Sequence, residues 1–273
     1  MIFKDKEIQS FYTENGYAVI PLINENIGNC IINIISDVKE QIKSPFFISV
    51  ELSPKEFRID LQSKLSEIIK NDTDLYSYIN SNFKIFSSSF IAQQSEKRSG
   101  FELHTDWSFF DQIENNPVFI WIPLQDTCIN SNTTMVIVPK SQKITIPYRG
   151  EGIIEEYINK ISSEFKHKLK YLNLKKGEAV FFNPAIVHGL LPNNSNIENF
   201  SLLCTVCEED ASIIYCKQSK YNIFNTIKVY KINEIDDYYY VKTGKKRINT
   251  LSLYKKVKKQ NTKYTWNEIN NIL

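Results

Sequence analysis

The apolar and polar positions change period near residue 83, and that change divides the chain into a helix-rich beginning and a strand-rich remainder. Residues 1–43 read as helix, turn, strand and helix, with Asn15-Gly16 at the turn and Ile27, Ile31, Ile32 and Ile35 along one helical face. Residues 54–82 again carry a helical pattern. Ser53 is the expected N-cap, with Pro54 in the first turn. From Phe83 the period shortens to two. FKIFSSSFIAQQ, the FELH segment, PVFIWIPL, TMVIVP, LNLKKGEAVFF and FSLLCTVC supply successive strands, and a helix is expected around Glu151 to Lys168. After Cys216, YNIFNTIKVYKI and DDYYYVKTGKKRINTLSLYKKV look like strands broken at Thr243-Gly244, and YTWNEINNIL looks like a short closing helix.

With 273 residues, 42% of them hydrophobic, the chain can bury a sizeable core. No break in composition demands a second domain, so one domain over 1–273 is expected: a helix-rich part at 1–82, a β core at 83–216 and an extension at 217–273 packed on that core. No run reaches membrane-spanning length, and the start has no apolar signal region, which makes a cytoplasmic location the expectation. Five cysteines give no disulfide framework. Cys204 and Cys207 fall on opposite faces of one strand, which favours ordinary packing over a shared metal.

Charge is balanced overall at +2 but unevenly placed. Lys217 to Leu273 holds thirteen Lys and Arg against four Asp and Glu, a net +9, leaving −7 for the remainder. Such a tail attracts anions in general. Its clusters are short and interleaved with apolar residues, so a charged outer face is expected and nucleic acid is not an expected partner.

The chemistry-bearing residues are few. Only three histidines occur, and His104-Thr105-Asp106 places two metal-ligand types at spacing i, i+2, which on a strand project to one face while Thr105 points away. His188, in PAIVHG, follows a strand and a Pro-containing turn and can supply a third ligand from a neighbouring strand. Two imidazoles and one carboxylate on one side of a six-coordinate iron(II) leave the other side open for a co-substrate and dioxygen. His167 sits in the lysine-rich SSEFKHKLK and reads as solvated.

The order of segments resembles the phytanoyl-CoA dioxygenase family of iron(II)/2-oxoglutarate oxygenases over most of residues 8 to 207. IQSFYTENGYAVIPLI is similar to that family's opening, His104 and Asp106 to its His-x-Asp, and PVFIWIPLQDTCINSNTTMVIVPKSQK to its Trp-containing strand and Val-Pro-Gly-Ser-His segment. LNLKKGEAVFFNPAIVHGLLPNNS is similar to the strand leading to its distal histidine, here His188. The resemblance implies a mostly β fold with flanking helices, a cupin-like jelly roll or double-stranded β-helix. It also implies Fe(II) held by His104, Asp106 and His188, and oxidation of a small-molecule substrate by dioxygen with 2-oxoglutarate as co-substrate. Hydroxylation is the usual outcome. The helix expected near 151–168 could then cover the mouth of the site, and 129–134 with Tyr148-Arg149 could contact substrate, with a plain surface loop the better reading for any single one of these residues.

Two departures bear on the chemistry. Lys140-Ser141-Gln142 replaces the family's Gly-Ser-His, and Asn199 stands where the family places the arginine that binds the distal carboxylate of 2-oxoglutarate. Ser201 matches the serine that accompanies that arginine, and Trp121 matches a family tryptophan that lines the co-substrate pocket. A dicarboxylate in a buried pocket needs a charge partner, for which Lys84, Arg98 and Lys140 are the candidates. Three other readings stay open: a non-catalytic relative that binds ligand, a cupin-type oxygenase that does not use 2-oxoglutarate, and a binding module acting through the basic tail.

Overall fold

The helical faces read from the first 82 residues exist because a large sheet offers them an apolar surface. In the computed structural model, which describes all residues except 53, 96–98, 130–132, 219–224, 245 and 261–263, helices α1 (Lys6–Asn15), α2 (Glu25–Ser36), α3 (Lys55–Asn71) and α4 (Leu75–Tyr78) belong to the N-terminal part. Ile31 and Ile35 of α2 and Leu61, Leu65 and Ile69 of α3 are buried in one cluster with Phe90, Ile120, Phe181, Leu202 and Cys204. Ile27 and Ile32 pack at its edge. Asp5 and Asn24 cap α1 and α2 by accepting backbone N–H bonds. Pro54 occupies the N-cap of α3, just before the helix rather than within its first turn, and Ser53 lies outside the described residues.

The strands are β1 (Tyr17–Pro21), β2 (Phe46–Ile48), β3 (Phe83–Gln93), β4 (Phe101–His104), β5 (Val118–Pro123), β6 (Met135–Val138) and β7 (Lys170–Leu172). They continue with β8 (Glu178–Phe182), β9 (Val187–Leu190) and β10 (Asn199–Glu208). A six-stranded sheet runs in the order β1-β8-β5-β10-β3-β2 and a four-stranded sheet in the order β4-β9-β6-β7, with antiparallel pairing throughout. The chain passes from one sheet to the other along β3 to β10, which is the jelly-roll pattern. Period-two alternation decides what each face meets. On β5, Val118, Ile120 and Ile122 face the helices, whereas Phe119 and Trp121 join Ile91, Met135, Ile137, Val180, Phe182 and Ile186 between the sheets.

Residues 151–156 do not form the first part of a helix; α5 covers only Tyr157–Glu164, with a 3-10 turn at Lys166–Lys168. Tyr157, Ile161 and Phe165 pack with Val138, Val187 and Ile269 of the closing helix α7 (Trp266–Ile272), so α5 supports the small sheet and does not cover a mouth. His167 is exposed, as expected.

The tail builds a third sheet of β11 (Ile213–Lys217), β12 (Thr226–Ile232) and β13 (Ser252–Lys258) in that order. Between β12 and β13 the run expected as strand at DDYYYV is instead helix α6 (Ile235–Lys242), followed by Gly244 at φ +74. Tertiary contacts override the aromatic strand propensity there. Tyr238 and Val241 enter a cluster with Phe109, Phe110 and Tyr215, and Asp236 is buried against the Arg58 guanidinium at 2.8 Å.

Candidate metal centre

Antiparallel pairing of β4 with β9 sets His104 directly opposite His188. The pairing carries a bulge between Phe101 and His104, which turns the strand and gives it an extra residue. Gly189 is needed at this crossing, since a Cβ there would stand 2.7 Å from the Phe101 carbonyl oxygen. Each imidazole is oriented through Nδ1: His104 toward the Glu102 carbonyl at 2.8 Å and His188 toward the Ile186 carbonyl at 3.0 Å. With Nδ1 donating, both Nε2 lone pairs remain available to a metal.

Asp106 is not on the strand, because β4 ends at His104. The same-face argument from i, i+2 spacing therefore gives way to a loop held at both ends of the residue. The Asp106 N–H donates to the Pro184 carbonyl at 3.1 Å, and its carbonyl accepts from Arg149 Nε at 2.7 Å. Thr105 points away and donates to the Glu155 carboxylate. The carboxylate oxygens of Asp106 lie 3.8 Å from His104 Nε2 and 3.5 Å from His188 Nε2, and one ligand atom from each of the three residues falls within 4.8 Å of the others.

The electrostatics suit a cation. Burial drives the His188 imidazole down to about 4, with His104 adding to the effect and Asp106 opposing it, so His188 is neutral near pH 7. Burial alone would raise the Asp106 carboxyl, but His188 and His104 outweigh it and hold Asp106 below the ordinary carboxylate range. Its Oδ2 is buried with no hydrogen-bond partner among the described residues. A bare buried carboxylate oxygen beside two imidazole lone pairs is the donor set of a divalent iron or zinc site. Phe182 and Phe101 rings pack on His188 and His104, with centroids 4.8 and 4.4 Å away. The groove of about 540 Å³ among Leu103, Val136, Leu169 and Tyr171 belongs chiefly to the outer face of the same sheet, behind the histidines.

Between the sheets, β3 and β10 contribute a neutral polar stripe of buried Ser87, Ser89, Gln93, Asn199, Ser201 and Thr205. Trp121 Nε1 donates to Ser201 Oγ at 2.9 Å, which joins two of the expected co-substrate residues. Asn199 pairs with Gln93 in the sheet, and its amide donates to Thr133 Oγ1 at 3.0 Å.

The candidate replacement cations divide differently from the expectation. Lys84 lies at the other end of β3 from Gln93, roughly 30 Å along the strand. Lys140 takes the left-handed conformation, φ 70, at the position of the family glycine and pairs with Glu14 on the surface at 3.1 Å. Neither reaches Asn199, and Arg98 lies outside the described residues. Of the buried arginines, Arg58 pairs with Asp236, and Arg149 donates through Nε to the Asp106 carbonyl while its buried Nη2 has no partner among the described residues. Of the two residues expected to be available to substrate, Tyr148 is buried and donates to Asp111, while Arg149 is buried and donates to the Ile146 carbonyl and Gln112 Oε1 as well as to Asp106. Residues 130–132 of the other loop lie outside the described residues, and Thr133 and Thr134 are buried.

The sequence reading gave Arg149 no role in holding Asp106, and nothing in TIPYRGEG signals one. It also missed α6, whose Tyr238 ring lies 4.5 Å from Phe109, three residues past Asp106.

No helix among the described residues is long and apolar enough to cross a membrane. A search of curated protein sequences gave no significant match. Among solved structures, the chain is similar to the non-heme α-ketoglutarate-dependent carbocyclase SnoK from nogalamycin biosynthesis, with TM-score 0.54 and 16% identity over 77% of this chain and 86% of that one. EctD from S. alaskensis, with 2-oxoglutarate and 5-hydroxyectoine, gives TM-score 0.54 and 14% identity over 77% and 78%. HygX from Streptomyces hygroscopicus, with nickel and 2-oxoglutarate bound, gives TM-score 0.53 and 11% identity over 76% and 88%. These likenesses establish the jelly-roll fold. The model of the phytanoyl-CoA dioxygenase (PhyH) family matches residues 32–198, a span that includes His104, Asp106 and His188, and the chain belongs to that family.

Proposed function

We propose that this protein is a non-haem iron(II)/2-oxoglutarate-dependent oxygenase that hydroxylates a small metabolite or biosynthetic intermediate, with His104, Asp106 and His188 as its metal ligands. The observation that carries the reading is the bare, buried Oδ2 of Asp106 facing two imidazoles whose Nδ1 atoms are already committed to carbonyls. Bound iron(II) supplies the redox chemistry that couples decarboxylation of 2-oxoglutarate to oxidation of a substrate C–H bond. The chain supplies orientation and exclusion of water. The two carbonyl acceptors fix the imidazole tautomers, Arg149 and the Pro184 carbonyl fix the Asp106 backbone, and Phe182 and Phe101 pack against the rings.

Trp121, Asn199 and Ser201 are proposed to line the co-substrate end of the barrel. The buried polar stripe that ends at Asn199 supports this, as does the hydrogen bond from Trp121 Nε1 to Ser201 Oγ. Residues 1–273 are read as one functional unit, because Phe109 and Phe110 share a cluster with Tyr215 and Tyr238 of the tail. Five free cysteines, three of them buried, are compatible with action in the cytoplasm.

A second reading, a cupin-type oxygenase working without 2-oxoglutarate, is favoured by one observation: Asn199, which carries no charge, stands where the family places an arginine. Succinate formation separates the two. Iron(II)-loaded protein under air with 2-oxoglutarate is expected to release succinate, and His104→Ala is expected to abolish that release. Oxygen consumption without succinate would favour the second reading.

A further inference from the structure

The tail helix α6 and the loop after Asp106 lie together at the metal end of the barrel, and α6 falls outside the segment matched by the family model. Their shared surface is aromatic. Tyr238 packs on Phe109 and Tyr215, Phe86 packs on Phe110 at 4.7 Å, and Trp107, the residue after Asp106, stands edge-on to Tyr215 at 6.0 Å.

Most lysines around this surface are neutralised by acidic neighbours: Lys55 by Asp236, Lys217 by Glu151, Lys246 by Asp237, and Lys255 by Asp111 and Glu114. Two are not. Lys242 Nζ lies over the Trp107 ring at 5.1 Å and Lys84 Nζ over the Phe86 ring at 4.8 Å, and neither makes an ion pair or hydrogen bond among the described residues. Trp107 directly follows Asp106, so Lys242 on its ring stands beside the candidate metal site. A cation held on an aromatic face, without an acidic partner, beside a reaction centre is placed to receive an anionic group.

We infer that α6 forms the substrate wall of this oxygenase, with Lys242 on Trp107, seconded by Lys84 on Phe86, recognising a substrate that carries a carboxylate or phosphate next to an apolar body. The inference rests on the oxygenase reading for where the substrate stands. It assigns Lys242 to the primary substrate and not to 2-oxoglutarate, whose expected end of the barrel is marked by Asn199.

The test uses full-length, iron(II)-loaded protein under anaerobic conditions with 2-oxoglutarate, titrated with phenyl phosphate, benzoate and neutral benzyl alcohol while tryptophan fluorescence is followed. Both anions are expected to bind more tightly than the alcohol. Lys242→Gln is expected to weaken them about tenfold or more, Lys242→Arg to retain them, and Lys256→Gln, on the exposed part of β13, to change nothing. The relative affinities of the two anions distinguish a phosphate from a carboxylate preference. Anion binding no tighter than that of the alcohol, or unaffected in Lys242→Gln, overturns the inference. Loss of the visible 2-oxoglutarate chelate band in Lys242→Gln alone also overturns it, because the lysine would then serve the co-substrate. Absence of that band in every protein, including the wild type, would count against the oxygenase reading itself.

Discussion

His104 and His188 stand opposite one another across the β4–β9 pair, and each imidazole bonds the backbone carbonyl two residues before it, Glu102 at 2.8 Å and Ile186 at 3.0 Å. This arrangement commits both Nδ1 atoms and turns both Nε2 atoms toward Asp106. Sheet register therefore performs most of the assembly, and the Arg149-held loop performs the rest.

The Asp106 carboxylate is a cost to the metal-free fold, since its buried Oδ2 makes no hydrogen bond. Asp106→Ala is expected to lower metal affinity by more than about 100-fold while shifting the melting temperature of the metal-free protein by less than about 4 °C. Zinc or iron titration and calorimetry read the two effects separately. Unchanged metal affinity would remove Asp106 from the ligand set.

Acid sensitivity follows from His188. Its pKa falls from 6.5 to about 4 on folding, so between those values the unfolded chain binds more protons than the folded one. Stability of the metal-free protein must then rise with pH through that window, by on the order of 3 kcal/mol at most from this group. Urea denaturation of wild type and His188→Leu from pH 4 to 7 checks it. The wild type is expected to gain more stability across the range, and equal slopes would contradict the assignment.

Arg58 and Asp236 tie α3 to α6 through a buried pair at 2.8 Å, with Lys55 adding a second contact to Asp236 at 3.1 Å. Asp236→Ala leaves the Arg58 guanidinium buried without its carboxylate and is expected to cost about 3–5 kcal/mol in urea denaturation. The double variant Arg58→Met, Asp236→Leu should recover most of that loss. Failure to recover would mean that the pair contributes more than mutual neutralisation.

Much of this architecture is legible in the sequence, for stated reasons. Alternation on β5 separates Ile120 from Trp121, and the helical spacing of Ile31 and Ile35 survives because the large sheet rewards it. The three candidate metal ligands are legible from their types and their position in an ordered set of motifs, and the fold brings them together. What was not legible depends on partners distant in the chain. Asp236 and Tyr238 lie in a run of strand-favouring aromatics, and they form a helix because Arg58 and Phe109 are there to receive them. Arg149 likewise acquires its role only when the fold brings the Asp106 carbonyl to it.

Asn199 is the informative departure. It is buried at the start of β10, paired with Gln93, and its amide donates to Thr133. Asn199→Arg is expected to tighten 2-oxoglutarate binding by roughly 10- to 100-fold, the value of a charge-assisted hydrogen bond. Weaker binding by a folded variant would mean that another cation already occupies that end of the barrel.

The most direct measurement is anaerobic titration of iron(II)-loaded protein with 2-oxoglutarate, followed by visible absorption. A saturable charge-transfer band, absent from Asp106→Ala and His188→Ala, is the result that the account predicts. Stoichiometric iron binding with no band at any 2-oxoglutarate concentration would contradict it.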